Sequence, residues 1–268
     1  GILSISERMG VSPWYWWADV PVKSLDNVYV SGKETSKSPS IRYRGIFLND
    51  EDWGLTPWAG KTFEPEEGNI GPRTYAKICE LILRLKGNML APAMHACSTP
   101  FYCNPENKVV ADSFGIMITT SHCEPLLFNN ASKSEWDSAV DGEWNYKTNR
   151  NTIYGKLDRR VKEAAQYDNI YTLAMRGLHD EGMRGDMTTA EKVEMLEQAI
   201  TDQREILSRY IDGDIDSIPQ IFVPYKEAQE LYESGLKVPD NVTLVWPDDN
   251  YGYIKMLGGE GLKAATEM

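Results

Sequence analysis

The sequence predicts an α/β fold of the (β/α)8 TIM-barrel type, incomplete, with about six βα units in this chain. Three observations lead there. β-prone runs recur along the chain, with helical segments between the later ones, which is the order of parallel βαβ units. The runs are continuously apolar rather than alternating, as in strands buried on both faces of a sheet. Most of them also stop at an ionisable or amide residue. Polar groups at the ends of many strands are a barrel feature, whereas a doubly wound sheet concentrates them at one switch point. No GxGxxG or Walker sequence follows any run, so nucleotide-binding sheets lose support.

The first run, "IRYRGIFLND" (41–50), ends in Asn49 and Asp50. The segment "GPRTYAKICELILRLKGN" follows, with Pro72 suited to a first helical turn and Gly87 to a C-terminal stop. Its Ile78, Leu81, Ile82 and Leu85 fall at helical spacing and predict one apolar face. Next come "NMLAPAM" (88–94) and "FGIMITTSHCEP" (114–125), the latter carrying His122. A helical region over 151–168 leads into "NIYTLAMRGLHD", which ends in Arg176, His179 and Asp180. Thr188 and Glu191 stand at capping-box spacing before a long helix. "PQIFVPYKE" (219–227) ends in Glu227 and runs into helical "AQELYESG". The last run, "VTLVWPDDN" (242–250), ends in Asp248 and Asn250. Residues 1–40 read as a lead-in, 41–257 as the barrel portion and 258–268 as a glycine-rich tail.

Bulk properties narrow the function. A net charge of −12 argues against nucleic acid, which needs clustered Lys and Arg. No apolar run reaches the roughly 18 residues that a membrane-spanning helix needs. The opening residues lack a basic start and an apolar core, so no signal peptide is visible. Cys79, Cys97, Cys103 and Cys123 contain no CxxC pair, and with His95 and His122 they fit no standard zinc spacing, so no metal site is expected. Cys97 and Cys103 are close enough in sequence to close a small loop. Eight Trp and fourteen Tyr supply rings that pack cores and also stack on sugars.

Carboxylates converging on one mouth, with aromatic residues nearby and no cofactor motif, point to glycoside hydrolysis. That reaction needs one carboxylic acid to protonate the leaving oxygen and a second carboxylate as nucleophile or water activator. Asp50, Asp180 and Glu227 form the pool, with Glu51 and Glu181 as neighbours; each alone reads equally as a solvated loop acid or helix cap. Arg176 reads as a clamp for an anionic substrate or as an ion-pair partner of Asp180 four residues on. His122 and His179 are candidate donors, and Tyr225, Trp246 and Tyr251 are candidate ring contacts, Trp246 reading rather as packing. The runner-up chemistry is a metal-dependent lyase or isomerase, with Asp248, Asp249 and Asn250 as oxygen ligands and Lys226 as base.

Six segments together, "GVSPWYWWADVPV" (10–22), "RYRGIFLNDEDW" (42–53), "TTSHCEP" (119–125), "MRGLHDEGM" (175–183), "IPQIFVPYKEAQELYE" (218–233) and "LVWPDDNYGYI" (244–254), resemble glycoside hydrolase family 115, in order and over nearly the whole chain. The resemblance implies a xylan α-glucuronidase that removes (4-O-methyl-)glucuronic acid from the O2 of xylose in glucuronoxylan, with inversion and without a cofactor. It implies a barrel within a larger multidomain, secreted or periplasmic protein, dimerising through domains outside this chain. Family active-site positions fall on Asn49, Asp50, His122, Arg176, Asp180, Tyr225, Glu227, Asp248 and Asn250. On that basis Asp180 is the expected general acid and Asp50 or Glu227 the base. Arg176 or His122 is expected to face the uronate carboxylate, with His179 and Glu181 in supporting or surface roles. In "LAPAMH" (90–95), Ala91 and His95 replace large rings usual in the family, which changes a pocket wall and leaves a carbohydrate-binding pseudoenzyme as the other reading.

Overall fold

In the computed structural model, which describes residues 2–17, 20–21, 24–33, 35, 37–49, 52–248 and 251–254, each β-prone run forms a short strand. These are β1 Gly45–Phe47, β2 Met89–Ala91, β3 Met117–Ile118, β4 Tyr171–Thr172, β5 Gln220–Phe222 and β6 Thr243–Leu244. All pairings are parallel, in the orders β1-β2-β3 and β4-β5-β6. A bridge between Ile118 and Asn169, with Ile170 N–H donating to Ile118 C=O at 2.9 Å, joins the two sets. Neighbours in space are therefore neighbours in sequence, without the order reversal of a doubly wound sheet. Sheet positions in β2 to β5 are mostly buried, as continuous apolar runs require. β1 departs from that expectation and is exposed along its length; among the described residues it pairs on one side only, with β2.

The helices are α1 Ile2–Arg8, α2 Leu55–Trp58, α3 Pro72–Arg84, α4 Pro105–Ser113, α5 Ser138–Asp141, α6 Tyr146–Ala164, α7 Thr189–Tyr210 and α8 Glu227–Glu233. α3, α4, α6, α7 and α8 each connect one strand to the next, and a single core unites Ile78, Ile82, Ile153, Leu157, Ile200 and Leu207 of the helices with Leu90, Ile118 and Phe222 of the strands. Among the described residues, no helix is long and apolar enough to cross a membrane. α4 is absent from the sequence reading, although Asn104 caps it by accepting from Glu106 N–H and Pro105 fills its first position. α6 begins ahead of the expected residue 151, where Asn145 accepts from Lys147 N–H. The Thr188–Glu191 capping box forms as read. Leu85 is exposed because α3 has already ended: Lys86 takes the left-handed conformation at φ 63°, and Gly87 N–H donates to Ile82 C=O at 2.8 Å. Gly87 serves close approach, since a Cβ there would lie 2.8 Å from Ile82 Cγ2 and 2.9 Å from Arg44 C=O. Cys97 and Cys103 are free thiols, so the small loop their spacing allows is not closed.

Two buried carboxyls fix segments that the sheet alone leaves loose. Glu64 accepts from Gly71, Arg73 and Thr74 N–H and from Thr74 Oγ1 at 2.8–3.1 Å, meeting the free donors of the α3 N-terminus with a charge of the right sign. Glu124, just past β3, accepts from Ser121 N–H and Oγ at 3.3 and 3.1 Å and from Asn129 Nδ2 at 2.9 Å. Burial pushes the Glu124 carboxyl up to about 8, over the opposing effect of the Ser121 and Asn129 donors.

Glu64→Ala leaves three N–H groups and a hydroxyl without their acceptor and is expected to destabilise by about 3 kcal/mol, read as a lower urea midpoint with unchanged m-value. Glu124 carries a pH signature. Folded, it keeps its proton up to about 8, while an unfolded chain loses it near 4.5. Stability should fall as pH rises through that interval, by up to about 1.4 kcal/mol per pH unit, and level off above it. Urea unfolding at either end of that interval should show a larger drop in the wild type than in Glu124→Gln.

Candidate active site

The C-terminal ends of β3, β4 and β5 bring together His122, Arg176, Asp180, Tyr225, Lys226 and Glu227. β4 has only two ladder residues, so its continuation needs other support. Gln203 of α7 supplies it, accepting from Ala174 N–H at 3.1 Å and donating to Ala174 C=O at 2.6 Å. Trp144 Nε1 then donates to the Arg176 carbonyl at 3.0 Å. The backbone carrying Arg176 is held on both sides before its side chain makes any contact. After β5 the chain turns sharply at Lys226, a non-glycine residue at φ 52° and ψ −124°. That turn makes Glu227 the first residue of α8 and points Lys226 and Glu227 at the same group of side chains.

Arg176 is the centre. Its Nε and Nη2 donate to Glu227 Oε1 and Oε2 at 2.8 and 2.7 Å, a bidentate pair. Its Nη1 donates to Asp180 Oδ1 at 2.5 Å, and Nη2 reaches the Asp180 carbonyl at 3.4 Å. One guanidinium with a 2% exposed side chain thus holds two carboxylates on different edges. Asp180 has two further partners, His122 Nε2 at 2.7 Å and Lys226 Nζ at 2.6 Å. Tyr225 closes the group: its ring meets His122 edge to face at 4.5 Å between centroids and lies 5.7 Å from the Arg176 guanidinium and 5.1 Å from Lys226 Nζ.

The electrostatics follow. Partial burial works against a charged Asp180, but hydrogen bonds from His122, Lys226 and Arg176 prevail and hold its carboxyl well below the usual range. Burial depresses His122, with the Asp180 contact working the other way. This bears on two expectations. A general acid must carry its proton near neutral pH, and three donors on one carboxylate oppose that, so Asp180 suits a charge-bearing or proton-accepting role. Arg176 spends its donors on Glu227 and Asp180, which is the ion-pair alternative of its sequence reading extended to a second carboxylate.

The other predicted residues divide. Asn49 is exposed, and its Oδ1 lies 2.8 Å from His95 Nε2; His95 Nδ1 lies 3.0 Å from His179 Nε2. A chain of contacts therefore runs from the end of β1 to the loop after β4, through the histidine that replaces an expected ring. Asp248 is exposed beyond β6, Trp246 packs on Tyr232, Tyr251 is exposed and Glu181 pairs with Arg184 at the surface. Asp50, Glu51, Asp249 and Asn250 lie outside the described residues. Among the described residues no group of three or more His, Cys, Asp or Glu is placed to hold a metal ion. Lys226 enters as a direct partner of Asp180, a role the sequence reading did not give it. Its signal was position alone, next to Glu227 at a strand end.

A comparison with curated proteins gave no significant match. Comparison with solved structures finds a protein described as a family GH115 4-O-methyl-α-glucuronidase, BtGH115A, with specificity for decorated arabinogalactans. It shares 44% sequence identity and a TM-score of 0.88, over 99% of this chain and 35% of that one. The chain thus spans about a third of the length of that relative. The family model for glycosyl hydrolase family 115 matches residues 36–266, nearly the whole chain, and the carboxylate cluster falls inside that match. The chain belongs to glycosyl hydrolase family 115.

Proposed function

We propose that this chain is the catalytic-barrel portion, over residues 41–257, of an α-glucuronidase. Its reaction is hydrolysis of α-1,2-linked (4-O-methyl-)glucuronic acid from glucuronoxylan or its oligosaccharides, with inversion. One observation carries the reading: two carboxylates, Asp180 and Glu227, share the Arg176 guanidinium where β4 and β5 end. Paired carboxylates at strand ends are what glycosidic cleavage requires. Sequential parallel strands, with β1 and β6 each paired on one side among the described residues, support a barrel completed by further βα units. Family membership supports the glycosidase class, and the arabinogalactan-active relative makes decorated arabinogalactan the second polymer to test. Action on plant polysaccharide fits a secreted or periplasmic enzyme, and dimerisation would rest on domains outside this chain.

In the inverting mechanism a carboxylate removes a proton from water as it attacks the anomeric carbon, while a carboxylic acid on the opposite face protonates the departing oxygen. Asp180, held ionised, is assigned to the water side. Its three donors fix its orientation, as a base must be fixed. The proton donor is then assigned to Asp50, because the bidentate Arg176 contact opposes a proton on Glu227 as the three donors oppose one on Asp180. Lys226, half exposed beside Asp180, supplies a cation that a uronate carboxylate can meet.

Assays on aldouronic oligosaccharides and on glucuronic-acid-decorated arabinogalactan should show release of the uronic acid, first as the β-anomer by proton NMR. Asp180→Asn should lower kcat by roughly 1,000-fold or more. The proton donor is identified by leaving group: Asp50→Asn should regain most of its rate on an α-glucuronosyl fluoride, which needs no protonation, whereas Asp180→Asn and Glu227→Gln should not. First release of the α-anomer would remove inversion from the account, and full activity in Asp180→Asn would remove Asp180.

A further inference from the structure

Asp180 leaves its loop from a strained position. His179, the residue before it, sits at φ 55°, in the left-handed region that non-glycine side chains rarely occupy. The loop is a tight turn: Gly177 N–H donates to Glu181 C=O at 3.1 Å, and a Cβ at Gly177 would lie 2.2 Å from Gly182 C=O. Such a conformation persists when outside contacts determine it. Asn130 makes two. Its Oδ1 accepts from His179 N–H at 2.8 Å and its Nδ2 donates to Gly177 C=O at 3.2 Å, clamping the turn on both sides of Leu178.

Asn130 is buried, and its neighbour Asn129 fixes it to two other strand-end loops. Asn129 Nδ2 donates to Met94 C=O after β2 at 2.8 Å and to Glu124 Oε1 after β3 at 2.9 Å. Asn129 N–H donates to the buried Glu135 at 2.9 Å, and its Oδ1 accepts from Ala131 and Ser132 N–H at 2.9 and 3.1 Å. Glu124 in turn holds Ser121, the residue before His122. His122 and Asp180, which bond to each other at 2.7 Å, are thus presented by two loops that meet through Asn129 and Asn130.

We propose that Asn130 is a positioning residue: its carboxamide sets the turn that delivers the Asp180 carboxylate to His122. The inference rests on reading the Asp180 cluster as the active site, but its consequence for His122 is measurable without catalysis. The chain has three histidines, so each imidazole can be followed by 15N NMR. Asp180, Arg176, Lys226 and the Tyr225 ring face His122, and among them the Asp180 carboxylate favours its protonated form. Withdrawing Asp180 should lower the His122 titration midpoint.

The experiment compares wild type, Asn130→Ala, Asn130→Ser and, as reference, Asp180→Asn. The His122 midpoint is expected to fall by about 0.5 pH unit or more in Asn130→Ala, in the direction set by Asp180→Asn, because an opposite charge has moved away. Asn130→Ser keeps a side-chain oxygen but is too short to reach both His179 N–H and Gly177 C=O, and it adds no charge, so it should shift the same way by less; it also serves if the alanine variant does not fold. On aldouronic oligosaccharides, kcat should fall by roughly tenfold or more with KM changed less than about threefold, the mark of a misplaced reacting group. A His122 midpoint unchanged in either folded variant overturns the proposal. Lack of hydrolysis by the wild type would instead overturn the functional reading and leave the NMR result standing.

Discussion

The site depends on the Arg176 guanidinium. It is buried, always charged, and rigid enough to present separate edges to separate carboxylates. A buried cation without partners costs far more than any other single defect in this region, so Glu227 and Asp180 are required for Arg176 to be where it is. The dependence also runs outward. Trp144 and Gln203 hold the backbone at Arg176 and Ala174, the left-handed His179 aims Asp180, and the sharp turn at Lys226 aims Glu227. Strain at two non-glycine residues beside the same ion pairs is what a fold tolerates where it must deliver charges to one point.

Much of this was legible in the sequence because strand ends are legible. A run of apolar residues that stops at His122, Asp180 or Glu227 marks where a parallel strand gives out, and sequential parallel strands place such ends side by side. The structure brings these three together with Arg176, and the ion-pair reading of Arg176, set beside the substrate-clamp reading at first, is the one it adopts. The ionisation of Asp180 was not legible. It depends on how many donors reach Asp180, and two of them, His122 and Lys226, lie about 50 residues away along the chain.

Other losses have physical causes of the same kind. Asn129 and Asn130 look like any loop amides, since what matters is the distant turn that Asn130 holds at Gly177 and His179 and the two loops that Asn129 reaches at Met94 and Glu124. Lys226 owes its role to a backbone angle that no propensity predicts for lysine. α4 went unread because its helix is short and weakly amphipathic, although its Asn-Pro start was present. Continuous apolarity promised burial for every strand, but β1, paired on one side only among the described residues, is exposed.

In the proposed mechanism three donors keep Asp180 ionised, which assigns the proton donor elsewhere. Carboxyl 13C NMR of Asp180 across an acid titration addresses this directly, with assignment by Asp180→Asn. The Asp180 signal should show no titration near the ordinary aspartate value of about 3.9, the carboxylate persisting to markedly lower pH. A signal that titrates at or above that value would contradict it and return Asp180 to the acid role.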